Sequence, residues 1–572
     1  MVFISVLLFA NTPHIAHKTV AQIHTDRFCY VSGDKLFVKI YYFTEPNTSN
    51  TAEIAMYVDM VDADNHFVCG EILKLDNGVA SGLMSIPDTL KTGEYLLRSY
   101  TQSSKKENCI LQTKLLFVTN RFGANSQSRI SNKPSIITAN NSLPTPTTSE
   151  FVQLKLQPND SVFKKRSKVV VSFKLLNKNH NDELSASLSV KPVSVCEANY
   201  SGINKTAIYK SSFIDTDCAD SITLKSLFNE GKGFVVSGRV IHKITKNPLE
   251  NILILLAYKD SSINIKYAIS DKNGYFEFLL NSFFGNKIIY ATTYSYPKMA
   301  AYPDAQIVLN SKFIVEKQKP ALADKKTSFM ESADSLNVKK AVVAKAYALA
   351  YHKNIEQANY NITFEQKYLM GGNVKTTYTS DYISLPNFYE IAREILPFVK
   401  VRKKGVKYVF YVNDGINNKI RANPLVMVDG IPITNFNELM GWGTDKIKSV
   451  QVQIQPRYYG DVAFENGIIL IWTKHCDFWT TQQVKGSNAY VMQGFQQPVE
   501  FYFPQYNTKQ FSKTPDFRSV LYWEPNIKIN GNGIKQTIFY TSDETGFFEI
   551  TLRGFTKNNK PVFIRKYIYV SK

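Results

Sequence analysis

Short runs in which apolar and polar residues alternate, each closed by a turn signal, recur along most of the chain and restrict it to largely β structure. Leu36 to Phe43 alternates around Phe37, Lys39 and Tyr41, and Leu184 to Lys191 alternates again. Val450, Val452 and Ile454 are interleaved with Gln451 and Gln453, the period of a half-buried strand. The 33 Tyr and 37 Phe add to this, because aromatic side chains favour strands. A chain of 572 residues is too long for one core, and length alone argues for roughly three to five domains.

In chain order, Val2 to Ala10 is an apolar run followed by Thr19-Val20-Ala21, which reads as an export signal cleaved after Ala21; the positive leader region is missing, and the alternative is an ordinary strand. Residues 22–120 show about seven short strands with regularly spaced turns, the pattern of a β-sandwich. Residues 121–150, rich in Asn, Ser, Thr and Pro, read as a linker. Residues 151–230 read as a second sandwich, with Asn199 to Asp220 a long loop, and 231–316 as a third. In the third, Asp271-Lys272-Asn273-Gly274 makes a tight turn, and the further oxygen ligands of a calcium loop are missing. Residues 317–400 are a linker with helices, one over Asn337 to Gln357 and one over Phe388 to Leu396. Residues 401–474 form a small α+β unit. Within it Leu425 to Val428 is a buried strand, Asp429-Gly430 a turn, and Asn435 or Asn437 the cap of a short helix through Leu439. Arg457 to Gly460 is a turn, with Tyr459-Gly460-Asp461 read as turn residues, and Ile468 to Trp472 is a strand. Residues 475–572 hold an extended segment and a last sandwich, too few strands for a membrane barrel.

Several stretches resemble known families. "HTDRFCYVSGDKLFVKIYY" with "LKTGEYLLRSYTQ" resembles a macroglobulin-type domain, and the piece from Arg518 to Thr556 looks like a later domain of that type. Residues 234–278, with "SDKNGYFEF", resemble the carboxypeptidase regulatory-like fold, a prealbumin-type sandwich that carries no peptidase site. Asn423 to Lys474 resembles the plug domain of TonB-dependent outer-membrane receptors in the form found in Bacteroidota envelope proteins. The fold expected is therefore mainly β: several β-sandwich domains, immunoglobulin/macroglobulin-like and prealbumin-like, plus one small α+β plug-like domain. The macroglobulin resemblance implies protease trapping only with a C-G-E-Q thioester, and here Cys69-Gly70-Glu71 is followed by Ile72.

The chemistry-bearing residues are sparse. His24, Asp26 and Asp34 have the types of a metal group but suit strand-end and turn hydrogen bonding. Glu390 and Glu394 share a helix face with no histidine at matching spacing, and Cys476 beside His475 lacks an orienting group. Cys196 and Cys218 flank a polar loop and are a candidate disulfide, whereas Cys29, Cys69 and Cys109 read as buried thiols. The formal charge of +20 comes from scattered lysines, with no stacking platform for nucleic acid, and leaves an anionic surface or acidic glycan as a candidate ligand. No run reaches the length of a membrane helix.

The function expected is a non-catalytic envelope binding or scaffold protein, periplasmic or peripheral to the outer membrane, whose partner is another envelope or outer-membrane protein. No catalytic residue, cofactor or metal site is expected. Phe495, Phe501, Tyr502 and Tyr506 are interface candidates, with packing inside the chain as the alternative. The competing expectation is an accessory of TonB-dependent uptake, its plug-like domain acting with a barrel from another chain.

Overall fold

A computed structural model of the chain describes residues 18–45, 54–106, 110–122, 146–157, 161–176, 183–193, 230–260, 262–315, 374–413, 420–459, 462–476, 478, 488–506, 515–531 and 533–572. The Cys196–Cys218 pair, the loop at 199–220, the helix at 337–357 and Asp461 lie outside these residues. The fold is mainly β, with several sandwiches and two short α-helices among the described residues. It divides into two compact units. One comprises Met1–Lys225, Phe313–Ala358 and Gln496–Lys572; the other comprises Ser226–Lys312 and Asn359–Phe495.

The first unit opens with β1 (Lys18–Thr25), β2 (Cys29–Val31), β3 (Lys35–Glu45), β4 (Ala55–Val61), β5 (Phe67–Lys74), β6 (Val79–Ser85) and β7 (Gly93–Tyr100). The helix α1 (Gln102–Lys106) and β8 (Gln112–Thr119) follow. Sheets β1-β3-β6 and β2-β8-β7-β4-β5 enclose a core that includes Leu36, Val38 and Ile40 of β3 and Met56, Val58 and Met60 of β4. The alternation legible in β3 is thus real, but its other face, with Lys39 and Tyr41, is buried too. Strand β1 begins at Lys18, pairs with β3 from Lys18↔Glu45 onward, and buries Ala21 in the core. The expected cleavage after Ala21 therefore falls inside a paired strand, and the folded part starts before Gln22.

Strands β9 (Val152–Gln157), β10 (Val162–Lys164), β11 (Lys168–Leu175) and β12 (Glu183–Pro192) begin a second sandwich. Its remaining strands come from the end of the chain. The intervening strands, which belong to the second unit, are β13 (Gly233–His242), β14 (Ile252–Lys259), β15 (Ile263–Ile269), β16 (Tyr275–Asn281), β17 (Asn286–Ser295), β18 (Ala300–Ala301) and β19 (Ala305–Leu309). They continue with β20 (Val374–Tyr378), the helix α2 (Phe388–Glu394), β21 (Val399–Lys404), β22 (Lys407–Asn413), β23 (Ile420–Ala422), β24 (Leu425–Val428) and β25 (Ile431–Pro432). After these come β26 (Ile447–Gln453), β27 (Arg457–Tyr459), β28 (Val462–Phe464), β29 (Ile468–Thr473) and β30 (Asn488–Gln493). Strands β31 (Tyr522–Asn530), β32 (Ile534–Tyr540), β33 (Gly546–Thr556) and β34 (Pro561–Ser571) then complete the second sandwich.

Its sheets are β9-β11-β32 and β10-β34-β33-β12-β31. The stretches expected to form two separate sandwiches, 151–230 and the terminal one, thus supply strands to the same two sheets. Substituting strands in order, this is the topology of the first sandwich, down to the parallel edge pairs β2–β8 and β10–β34. The repeat is interrupted between its fourth and fifth strands, where the first copy has only the β4–β5 hairpin. Periodicity could not reveal this, because it fixes a strand's faces and not its partner.

In the second unit, sheets β16-β13-β19 and β15-β14-β17-β18 form a sandwich, and β30 adds to the free edge of β17 through the register Asn286↔Gln493 to Ala291↔Asn488. Asp271 accepts from the backbone of Asn273 and Tyr275, both at 2.8 Å, and Gly274 takes φ 71°, so "DKNG" is the turn its sequence implies. The α+β module holds sheet β20-β26-β29-β24-β25, the smaller sheet β21-β22-β23 and α2, capped by Asn387 through Glu390 N at 2.9 Å. Two local expectations fail. The helix expected through Leu439 is a single 3-10 turn over Leu439–Gly441 with no side-chain cap, and Arg457–Tyr459 is a strand paired with Val462–Phe464. Leu253, Leu255, Tyr290 and Tyr294 of the sandwich share one continuous core with Val426, Met427, Ile469 and Ile471 of the module. Thr292 Oγ1 donates to Pro432 O at 2.9 Å across that junction.

Candidate functional site

A cluster of buried polar groups in the first unit lies where β3 meets the second sandwich. Successive outward positions of β3 place Phe37, Lys39 and Tyr41 there, β1 adds His24, and β12 presents Ser187 and Ser189. His24 Nδ1 lies 2.6 Å from Ser187 Oγ, and Tyr41 OH donates to the same oxygen at 2.9 Å. Tyr41 OH is also 3.0 Å from Arg553 O, and Ser189 Oγ donates to Asp26 O at 2.6 Å. Trp523 covers the histidine, with ring centroids 5.0 Å apart.

A serine against a histidine is the pairing of nucleophile and base. Here the pair is locked. Ser187 is fully buried, His24 is 2% exposed, and burial, reinforced by Arg553, holds the imidazole well below its usual pKa. Two small cavities lie elsewhere. One is inside the β13–β19 sandwich, lined by residues including Phe276, Phe278, Tyr490 and Met492; the other is beside Tyr294 and Asn423, and neither touches His24. The arrangement joins the two sandwiches of the first unit.

Lys39 sits in the same interface, 2% exposed, its Nζ donating to Asn526 Oδ1 at 2.8 Å. Burial, with Lys528 nearby, lowers its amine to about 8. Below that pH both states carry the proton and the folded state bears the desolvation cost. Between there and the unfolded value the unfolded chain holds a proton that the folded chain has released, so stability rises with pH. The unfolding free energy of the wild-type chain, measured by urea denaturation, is expected to rise between about pH 8 and pH 10, by up to about 3 kcal/mol. Lys39→Met should lack that rise; an identical pH profile would refute the assignment.

The turn residues of the opening motif are accounted for by local bonds. Asp26 Oδ1 accepts from Tyr30 OH at 2.8 Å and Phe37 N at 2.9 Å, and Asp34 Oδ2 accepts from Val31 N at 2.9 Å. Arg27 bridges both carboxylates, at 3.3 and 3.0 Å. Gly33 takes φ 85° to close the turn. His24, Asp26 and Asp34 therefore do not converge as ligands.

A second buried polar group was not anticipated. Arg98 on β7 forms a bidentate pair with Asp59 on β4, at 2.7 and 2.8 Å. Arg98 Nη2 also donates to Ile314 O at 2.9 Å, Tyr100 OH donates to Asp59 at 2.6 Å, and Ile314 N donates to Tyr100 OH at 3.0 Å. The segment at Phe313–Ile314 is thereby fastened to the sheet, with Phe313 so close to Gly70 that a Cβ there would lie 2.6 Å from the ring. The signal was present in the sequence: one acid within "AMYVDMV" and one base within "GEYLLRSY", both otherwise strand-forming.

The other candidates separate. Glu390 Oε1 accepts from Asn387 Nδ2 at 3.0 Å and Glu394 pairs with Arg393 at 3.2 Å, so the two acids serve a helix cap and a surface pair. Cys476 Sγ sits 3.9 Å from Thr473 O, and burial pushes the Cys69 thiol up to about 12. Cys29 is disulfide-bonded rather than a buried thiol. Ligand atoms of Asp62, Asp64 and His66 lie within 4.8 Å of one another in the β4–β5 turn, but Asp62 Oδ1 already accepts from the backbone of Asp64 and His66.

Of the aromatic interface candidates, Phe495 is 1% exposed and packs on Phe234 at 4.6 Å, which withdraws it from any outside partner. Phe501 meets Phe37 edge-on at 5.0 Å. Tyr506 lies under Arg166 at 4.9 Å and donates to Asp516. Tyr502 alone of the four is exposed, at 53%.

No protein-family model and no curated protein matches the chain. Among solved structures, Salmonella α2-macroglobulin reacted with methylamine aligns over 97% of this chain and 39% of its own length, with 8% identity and a TM-score of 0.24. Trypsin-activated α2-macroglobulin from Escherichia coli aligns over 97% and 42%, with 8% identity and a TM-score of 0.23. Dimeric latent PorU from Porphyromonas gingivalis aligns over 97% and 34%, with 8% identity and a TM-score of 0.14. The chain thus spans well under half the length of these structures, and scores of this size support no functional inference. Among the described residues, no helix is long and apolar enough to cross a membrane.

Proposed function

We propose that the protein is a non-catalytic scaffold of a bacterial cell envelope, which holds an α+β module at a fixed site on the β13–β19 sandwich. The observation that carries this reading is the continuous core shared by the module and the β13–β19 sandwich, sealed by Thr292 against Pro432 O. A module buried against its own neighbour suits a docking unit better than a plug that must leave its chain to sit in a barrel. The reading gains support from the locked His24–Ser187 pair, which has the residue types of catalysis without access. The Cys29 disulfide fits an oxidising compartment, and the Bacteroidota plug resemblance fits an envelope. The partner this reading implies is another envelope protein.

The test is fractionation of cells carrying the tagged full chain, followed by affinity capture from envelope extracts with and without crosslinking. Recovery in the envelope fraction with one reproducible partner is the expected result. Recovery in the cytosol overturns the location. A hydrolytic activity abolished by Ser187→Ala, with the fold intact by circular dichroism, overturns the non-catalytic assignment. Stoichiometric recovery with an outer-membrane barrel transfers the protein to the uptake reading.

A further inference from the structure

The hairpin β21–β22 concentrates positive charge on one face. The register pairs Lys400↔Tyr411, Arg402↔Val409 and Lys404↔Lys407, and alternation along each strand puts all six residues on the same side of the sheet. The opposite side carries Val399, Val401, Lys403, Tyr408, Phe410 and Val412, of which Val399, Phe410 and Val412 belong to the core. The four cations are exposed, and no carboxylate occurs among the described residues of β21, β22 and β23. Lys404 and Lys407 are directly opposed, an arrangement that costs stability when nothing neutralises it. At the tip Gly405 takes φ 60° and Val406 is left 82% exposed between Lys404 and Lys407.

We propose that this hairpin docks the protein on an anionic lipid bilayer surface, the cations meeting headgroup phosphates and Val406 entering the interface. Two features favour a bilayer over a nucleic acid or a soluble acidic glycan. An exposed aliphatic residue at the apex of a basic hairpin matches a surface in which an apolar layer lies beneath the charge. The aromatic ring on the cationic face that base stacking would need, Tyr411, is covered by the hairpin's own Arg402 at 5.5 Å. The inference stands on the hairpin alone and does not require the scaffold reading. A chain that proved enzymatic would still bind or not bind vesicles.

The experiment is co-sedimentation of the full chain with vesicles of phosphatidylcholine alone, and of phosphatidylcholine with about one-third phosphatidylglycerol. Binding to the anionic vesicles only, weakened by salt, is expected. Each cation near such a surface contributes up to roughly fivefold, so the variant with Lys400, Arg402, Lys404 and Lys407 all changed to Gln should bind more weakly by about tenfold to several hundredfold. Val406→Ser should weaken binding several-fold while leaving its salt dependence unchanged. If the quadruple variant misfolds, Lys404→Gln with Lys407→Gln at the exposed tip gives the same reading. Failure of the wild-type chain to bind anionic vesicles, or equal binding by the neutralised hairpin, overturns the proposal. Binding of a soluble acidic polysaccharide through these residues, with vesicles ignored, overturns the bilayer and assigns a glycan instead.

Discussion

Arg98→Met is expected to destabilise the first unit by about 3–5 kcal/mol, because it strands a buried carboxylate. Asp59 is fully buried and Arg98 2% exposed, so water cannot replace the lost bidentate bond. Ile314 O loses its guanidinium donor in the same stroke. The double variant Asp59→Leu with Arg98→Met removes both charges and should recover much of the loss, since replacing a whole buried pair by apolar groups is often near neutral. Urea denaturation of the full chain, read as a double-mutant cycle, measures this. Limited proteolysis provides a second readout, as cleavage near Ile314 should accelerate in the single variant. An unchanged urea midpoint in Arg98→Met, or a double variant no better than the single one, would refute this account of the anchor.

That anchor also marks where the sequence stops being readable. The strands themselves were legible: β3 and β26 appear where alternation places them, Asp271–Gly274 turns, and α2 begins at Phe388 as expected. Each of these depends on residues within one turn or one strand, the range over which side-chain chemistry acts directly on the backbone. Partner choice acts over hundreds of residues. Nothing local in Glu183–Pro192 announces that its neighbours in the sheet are Tyr522–Asn530 and Gly546–Thr556. Nor does "NAYVMQ" announce that it completes the edge of β17. The buried face of β3 misled for a related reason. Lys39 looks like a solvent residue by type, and becomes an interface residue only because Asn526, from the other end of the chain, meets its amine. Charged residues inside otherwise apolar strands, Asp59 and Arg98 above all, were the one available clue to long-range structure, since an unpaired charge cannot stay buried.

Asp429 gives the second large effect and bears on what the α+β module is for. The residue is fully buried and takes φ 47°, a left-handed conformation in which Asp is tolerated better than most side chains. Its carboxylate accepts from Thr473 N at 2.8 Å, Thr473 Oγ1 at 2.6 Å and Phe478 N at 3.3 Å. The "VDG" triplet, read as a simple turn, is therefore a clamp that ties the end of β24 to the end of β29. Asp429→Ala removes the acceptor for three buried donors and puts a Cβ-bearing residue without local bonds at positive φ, for an expected loss of about 3 kcal/mol or more. Asp429→Gly relieves the backbone strain but not the lost acceptors, so it should be milder than the alanine variant by about 1 kcal/mol. Asp429→Asn keeps one acceptor oxygen and should be the mildest of the three. The order Asn, Gly, Ala, measured by urea denaturation of the full chain, separates the hydrogen bonds from the backbone term. Three variants of equal, wild-type stability would mean that the carboxylate is not structural, and a ligand for it would then have to be sought. With the expected order, the acid is consumed by the fold and is not free to meet a ligand.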